Sequence, residues 1–111
     1  MLKPGDVVVI DFPGAIGTKR RPAVVLSSDI DHASRSDAIF GLITSQTAAA
    51  IAPTDHPLAN CAAAGLRVPS AVRSFVVTLP RSAIQRVIGR LSDRDWEIVR
   101  ARLDTALAIR P

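Results

Sequence analysis

Four β-branched residues in succession, Val7-Val8-Val9-Ile10, follow the turn signal Pro4-Gly5 near the start of this 111-residue chain. Valine and isoleucine are stiff at χ1 and pack well on a pleated surface, so the run predicts a buried opening strand over residues 6–12. Similar runs recur. Ala23-Val24-Val25-Leu26 predicts a second strand over 21–28, entered through Pro22, since proline is tolerated at a strand's first residue. Residues 37–45 predict a third strand, apolar almost throughout until it turns polar at Thr44 and Ser45. Between the first two, residues 13–18 carry Gly14 and Gly17 and mark a turned loop. Residues 29–36 are polar and aperiodic and predict another loop.

Residues 46–65 are rich in alanine and broken by Pro53 and Pro57, which predicts an irregular excursion with at most a short strand near Leu58. Residues 66–72, 74–79 and 84–88 are short β segments separated by Pro69 and Pro80-Arg81-Ser82, able to close a small barrel. Helical spacing enters only after Ser92. Trp96, Val99, Leu103 and Ala106 or Leu107 recur on one face, while Arg94, Glu97, Arg100, Arg102 and Asp104 fill much of the rest. Ser92 caps this helix, with Asp95 three residues later completing a capping box. The pattern is mostly β with a C-terminal helix, one domain over 1–111.

Fourteen Lys plus Arg against ten Asp plus Glu, most of the cations being arginine, favour a polyanionic partner through a salt-sensitive attraction. Ordinary solubility charge explains +4 equally well. The single cysteine, Cys61, excludes an intrachain disulfide and reads as a small buried hydrophobe in a reducing compartment. The N-terminal residues lack the apolar core of a signal peptide, and no stretch nears the ~18 apolar residues of a membrane span. A cytoplasmic protein with no membrane association is the expectation.

His32 and His56 stand in unrelated loops without carboxylates at ligand spacing, so no metal is expected. A nucleophile elbow, a phosphate loop and a dinucleotide fingerprint are all absent, and no cofactor is expected. What remains is a run of cations, Lys19-Arg20-Arg21, leading into the second strand, and the hydroxyls of Thr44 and Ser45 ending the third. If these strands are antiparallel neighbours, Arg21 and Thr44 meet at one sheet edge. An arginine that grips two phosphate oxygens beside a hydroxyl donor suits a phosphodiester, and in particular RNA cleavage by the RNA's own 2′-hydroxyl. Taken singly, Arg21 is as readily a surface cation and Thr44 a structural strand terminus.

At these residues the chain resembles the MazF/PemK family of toxin ribonucleases. The resemblance runs in order through Gly5-Asp6-Val7-Val8, Arg21-Pro22-Ala23-Val24-Val25-Leu26-Ser27 and Ile43-Thr44-Ser45-Gln46, then Ala64-Gly65-Leu66 with Pro69-Ser70, and finally Ile88-Gly89-Arg90-Leu91-Ser92. It implies an SH3-like barrel forming a homodimer, cleaving single-stranded RNA without metal and neutralised by a small antitoxin. Carried over by position, Arg21 and Thr44 are the catalytic pair, and Thr18, Lys19, Arg20, Ser45, Gln46 and Phe12 contact RNA. The first loop departs from the commonest family pattern and is similar to a variant with Gly-x-Lys-Arg-Arg-Pro, here residues 17–22.

The chain has no tyrosine and few aromatics for base stacking, so base reading is expected from hydrogen bonds near residues 28–36. Two rival functions stay open. One is a gyrase-inhibiting toxin of the CcdB kind on the same barrel, which needs a tryptophan near the helix C-terminus, whereas Trp96 opens this helix and Ala108-Ile109-Arg110-Pro111 closes it. The other is an RNA-binding barrel without activity.

Overall fold

The computed structural model describes residues 2–14, 17–49 and 52–108. Strands β1 (Asp6–Gly14), β2 (Gly17–Val25), β3 (Asp37–Thr44), β4 (His56–Pro57), β5 (Ala71–Pro80) and β6 (Ile84–Arg90) form one antiparallel sheet in the order β4-β5-β3-β2-β1-β6. A short helix α1 (Asp29–Ser34) joins β2 to β3, and helix α2 (Asp93–Leu107) closes the chain.

The connection from β5 to β6 forces the sheet to curl. In the sheet these two strands stand four inter-strand steps apart, ~19 Å if the sheet were flat. The chain from Pro80 to Ile84, a single 3₁₀ turn over Arg81–Ala83, can reach at most ~14 Å. The sheet therefore rolls into a half-barrel with two buried faces. The concave face holds Val8, Ile10, Ala23, Val25, Ala38 and Phe40, with Val77, Leu79 and Ile84 packed against them. The convex face holds Val7, Val24, Ile43 and Val72 beneath Trp96, Val99 and Leu103 of α2.

Several local expectations are corrected. Most of the turned loop expected over 13–18 is strand: β1 and β2 pair as far as Gly14 opposite Gly17, and the remaining expected loop residues, 15 and 16, lie outside the described residues. Pro22 is not the first residue of its strand but sits within β2, opposite Val9. It is tolerated because β3 pairs with β2 only over Ala23–Val25, leaving one edge of the strand free at Pro22. Within residues 29–36 stands α1, whose Ser28 side chain accepts from Asp31 N and whose first turn carries Asp29 and Asp31. Six residues are too few to show a helical period. The β segments expected over 66–72 and 74–79 become one ten-residue strand, β5, and the short strand expected near Leu58 is β4.

Helix α2 begins as expected, Asp95 N donating to Ser92 Oγ at 3.2 Å. Asp95 does not complete a capping box. Its fully buried carboxylate accepts from His56 Nε2 (2.8 Å), Ala59 N (2.9 Å) and Asn60 N (3.0 Å), and from Ser92 Oγ (3.2 Å). The alanine-rich excursion is thereby tied to the helix start. It also meets β6 through glycine: a Cβ on Gly65, at φ +76°, would lie 2.1 Å from Ile88 O, and one on Gly89 2.4 Å from Ala64 C. The motifs around Gly65 and Gly89 are thus two sides of one backbone contact. Residues 50 and 51 of the excursion and 109–111 of the closing segment lie outside the described residues. No helix among the described residues is long and apolar enough to cross a membrane.

Candidate active site

Antiparallel order brings the end of β1, the start of β2, the end of β3 and the start of β5 to one edge of the sheet. There the concave face opens into a groove of about 490 Å³, lined by Phe12 from β1, Lys19 and Arg21 from β2, Leu42 to Gln46 from β3 and its exit, and Arg73 and Phe75 from β5. Strand alternation decides which side chains reach it. Arg21 stands opposite Ile10 and Lys19 opposite Phe12, all on the concave side. Thr44 follows Ile43, which packs on the convex side, and so turns towards the groove as Leu42 does.

The expected antiparallel neighbourhood of β2 and β3 is present, and Arg21 and Thr44 at their ends both line the groove. Ala23 pairs with Leu42 and Val24 with Gly41; two residues further along the same register Arg21 comes level with Thr44. Thr44 Oγ1 accepts from Gln46 N at 3.1 Å. A hydroxyl that has used an acceptor site keeps its proton to donate, so Thr44 presents an O–H to the groove. Arg21 and Lys19 are exposed, and among the described residues the groove lining contains three cations and no carboxylate or imidazole. Such a surface attracts anions, and a guanidinium with a hydroxyl donor at its mouth can hold the non-bridging oxygens of one phosphate.

Ser45, Gln46 and Phe12, which the resemblance makes RNA contacts, also line the groove. Arg20 and Thr18 do not. Alternation places Arg20 on the convex side, where its Nε lies 3.5 Å from Oδ1 of Asp11, its cross-strand partner. Gln85 donates to the same carboxylate. Thr18 shares the parity of Arg20 and is exposed. The segment over 28–36, expected to read bases, stands at the other end of β2 and β3 and lines no part of the groove. It is fixed there by Ser27 Oγ on His32 Nε2 at 2.5 Å and by Arg81, which donates to the carbonyls of His32 and Arg35.

A family model described as PemK-like, MazF-like toxin of type II toxin-antitoxin system matches residues 3–107. The chain belongs to that toxin family. Among solved structures, an endoribonuclease in complex with its cognate antitoxin from a mycobacterial species is similar, with TM-score 0.78, 17% identity, and 100% of this chain and 99% of that one covered. The Mycobacterium tuberculosis toxin MazF-mt6 matches with TM-score 0.75 and 19% identity over 96% of this chain and 99% of that one. A MazE-MazF structure from Deinococcus radiodurans matches with TM-score 0.78 and 21% identity over 98% of each. A search of curated proteins found no match. The curled six-stranded sheet with a C-terminal helix is thus the MazF toxin fold.

Within this PemK/MazF-like toxin, Arg73 and Phe75 are groove residues that sequence reasoning passes over. Stepping back by twos from Val77 and Leu79 along β5 would place both on the concave face, but only once those two are known to be core. Among the described residues, no three His, Cys, Asp or Glu side chains gather as a metal site would require.

Proposed function

We propose that this toxin cuts single-stranded RNA by directing the RNA's own 2′-hydroxyl at the adjacent phosphorus, without a metal ion. The observation that carries the reading is the level placement of Arg21 and Thr44 on one face at the mouth of a cationic groove. In the reaction the O2′–P bond forms as the P–O5′ bond breaks, leaving a 2′,3′-cyclic phosphate and a 5′-hydroxyl. Negative charge gathers on the non-bridging oxygens. Arg21 stabilises that charge with paired N–H donors, Thr44 donates to one of the same oxygens, and together they hold phosphorus in line with the attacking oxygen.

Lys19 holds the RNA backbone at the groove, where Ser45, Gln46 and Phe12 add contacts, while Arg20, outside it, adds to the field that draws RNA in and Thr18 is left without a groove contact. With no carboxylate or imidazole among the described residues that line the groove, the 2′-proton leaves to water and the 5′-oxygen gains one from water. General acid and base catalysis is worth roughly 10²- to 10⁴-fold, so turnover is slow. Slow cleavage of messenger RNA in the cytoplasm is enough for a growth-arresting toxin. Similar toxins solved with antitoxins support an antitoxin as the partner, and in this reading it is small and lays an acidic segment in the cationic groove. The homodimer belongs to the same reading. The lone tryptophan, Trp96, packs against the convex core in the first turn of α2, which disfavours the gyrase-inhibiting alternative.

The test is to incubate long single-stranded RNA with the protein in EDTA beside Arg21→Ala and Thr44→Ala. Cleavage by the wild type alone supports the reading. Intact RNA from a folded wild-type protein contradicts it.

A further inference from the structure

The register of β3 and β5 contains an irregularity at the groove. Gly41 pairs with Val76 and Ile43 with Val72, so the three residues Arg73-Ser74-Phe75 oppose Leu42 alone. Two extra residues bulge β5 outward here, and bulges of this kind re-aim side chains beside functional sites. The bulge is braced from outside the sheet: Ser74 N donates to the buried Asp55 Oδ1 at 3.1 Å, and Thr54 Oγ1 donates to Ser74 Oγ at 3.1 Å. Its backbone is therefore held, and the alternation about Ser74 sends Arg73 and Phe75 to the groove.

Both side chains carry an unspent binding capacity. Phe75 meets Phe12 edge-to-face, ring centroids 5.7 Å apart at 71°, which orients its ring while leaving it 49% exposed. A half-exposed phenylalanine held by a second aromatic in a cationic groove is a platform for a planar base. Arg73 is half-buried, and its Nε is buried without a hydrogen-bond partner among the described residues. A buried donor left unpaired is costly and calls for an acceptor, and among the described residues no carboxylate lines the groove to supply one. Two residues along a strand span about 7 Å, the scale of one nucleotide.

We infer that Arg73 and Phe75 form a nucleotide subsite beside the cleaved phosphate, Phe75 stacking on one base of single-stranded RNA and Arg73 gripping that nucleotide's phosphate. The inference rests on the ribonuclease reading for which phosphate is cleaved, and not for the binding itself. Because every base has a π-face, the subsite demands a base without choosing among bases. It gives the toxin a base contact within the groove, which segment 28–36, at the other end of β2 and β3, does not line.

The experiment measures anisotropy of a fluorescein-labelled 2′-O-methyl RNA 12-mer, which cannot cleave itself, with copies carrying one abasic site walked along the strand. Phe75→Ala and Phe75→Leu are expected to weaken binding roughly 5- to 100-fold, and one abasic position to erase the difference between them and the wild type. Leucine keeps packing against Phe12 but has no π-face, so equal melting temperatures for Phe75→Leu and wild type separate stacking from folding. Arg73→Ala should lower the slope of log Kd against log salt by about 0.7, one phosphate's worth. Binding by Phe75→Leu equal to wild type, or a penalty that no abasic position removes, would overturn the subsite. A protein that binds in this Phe75-dependent way but leaves ordinary RNA intact upholds the subsite while refuting the ribonuclease reading.

Discussion

Arg21 and Thr44 come level across β2 and β3 two residues beyond the last paired positions, Ala23 and Leu42, both facing the concave side. Since the strands do not pair there, the guanidinium and the hydroxyl flank an opening. A charge-stabilising donor fixed on a strand needs no reorganisation when the phosphorane forms. Arg21→Ala is therefore expected to lower kcat for RNA cleavage by roughly 10²- to 10³-fold with little change in melting temperature. Arg21→Lys should recover only part, because lysine is a point charge without the paired donors. Single-turnover cleavage checks both.

In the proposed reaction Thr44 donates its O–H to the phosphate while its Oγ1 accepts from Gln46 N. Thr44→Ser keeps both bonds and should retain most activity. Thr44→Val keeps the shape and loses both, and is expected to reduce kcat about tenfold or more with KM less affected. Steady-state kinetics on one RNA substrate distinguishes these outcomes from a general weakening of binding.

The cations of the groove make binding depend on salt. Lys19, Arg21 and Arg73 neutralising three phosphates of a single strand correspond to a slope of log Kobs against log salt of about −2. Arg20 is already engaged by Asp11 on the other side of β2, so Arg20→Ala should change that slope less than Lys19→Ala. Titrations at several salt concentrations measure it.

Much of this arrangement is legible in the sequence. β-branched runs announce β1 to β3, and Ser92 with the spacing of Trp96, Val99 and Leu103 announces α2. Arg21 and Thr44 follow from two strands joined in sequence. Where the sequence places residues 13–18 in a loop and starts the strand only at Arg21, alternation has no meaning at Arg20, which looks equivalent to Arg21; the long hairpin separates them to opposite faces. Arg73 and Phe75 share the alternation of Val77 and Leu79, but the bulge that carries them is braced by Asp55 and Thr54, side chains some twenty residues distant, and no local pattern encodes that. Asp95 likewise has the spacing of a capping box but is drawn inward by His56, Ala59 and Asn60.

That inward turn has a stability consequence. Burial pushes the Asp95 carboxyl up, but the bonds from Ala59 N, His56, Asn60 N and Ser92 outweigh it and hold the group below the usual carboxylate range. A carboxyl lowered on folding contributes stability that is complete above its unfolded value of about 3.9 and is lost as pH falls through the folded value. Asp95→Asn is expected to cost roughly 2–4 kcal/mol near neutrality and to flatten the loss of stability below about pH 4. Urea unfolding across pH 2.5 to 7 would reveal both effects.

The backbone contact at Gly65 and Gly89 sets a second limit. Gly65→Ala adds a side chain at positive φ and against Ile88 O, and Gly89→Ala adds one against Ala64. Each should cost more than about 2 kcal/mol, since backbone rather than a flexible side chain must yield. Thermal melts compare them with Gly17→Ala, whose Cβ meets nothing within 4 Å and carries only the strain of its φ of +82°.

The reaction itself is tested most directly by an RNA oligonucleotide that the wild-type protein cuts at one position, remade with a single 2′-deoxynucleotide on the 5′ side of that bond. Attack by the RNA's own hydroxyl predicts that this one substitution abolishes cleavage there and that the unmodified oligonucleotide yields a 2′,3′-cyclic phosphate in EDTA. Cleavage that persists at the deoxy position, or products carrying a 5′-phosphate, would contradict it.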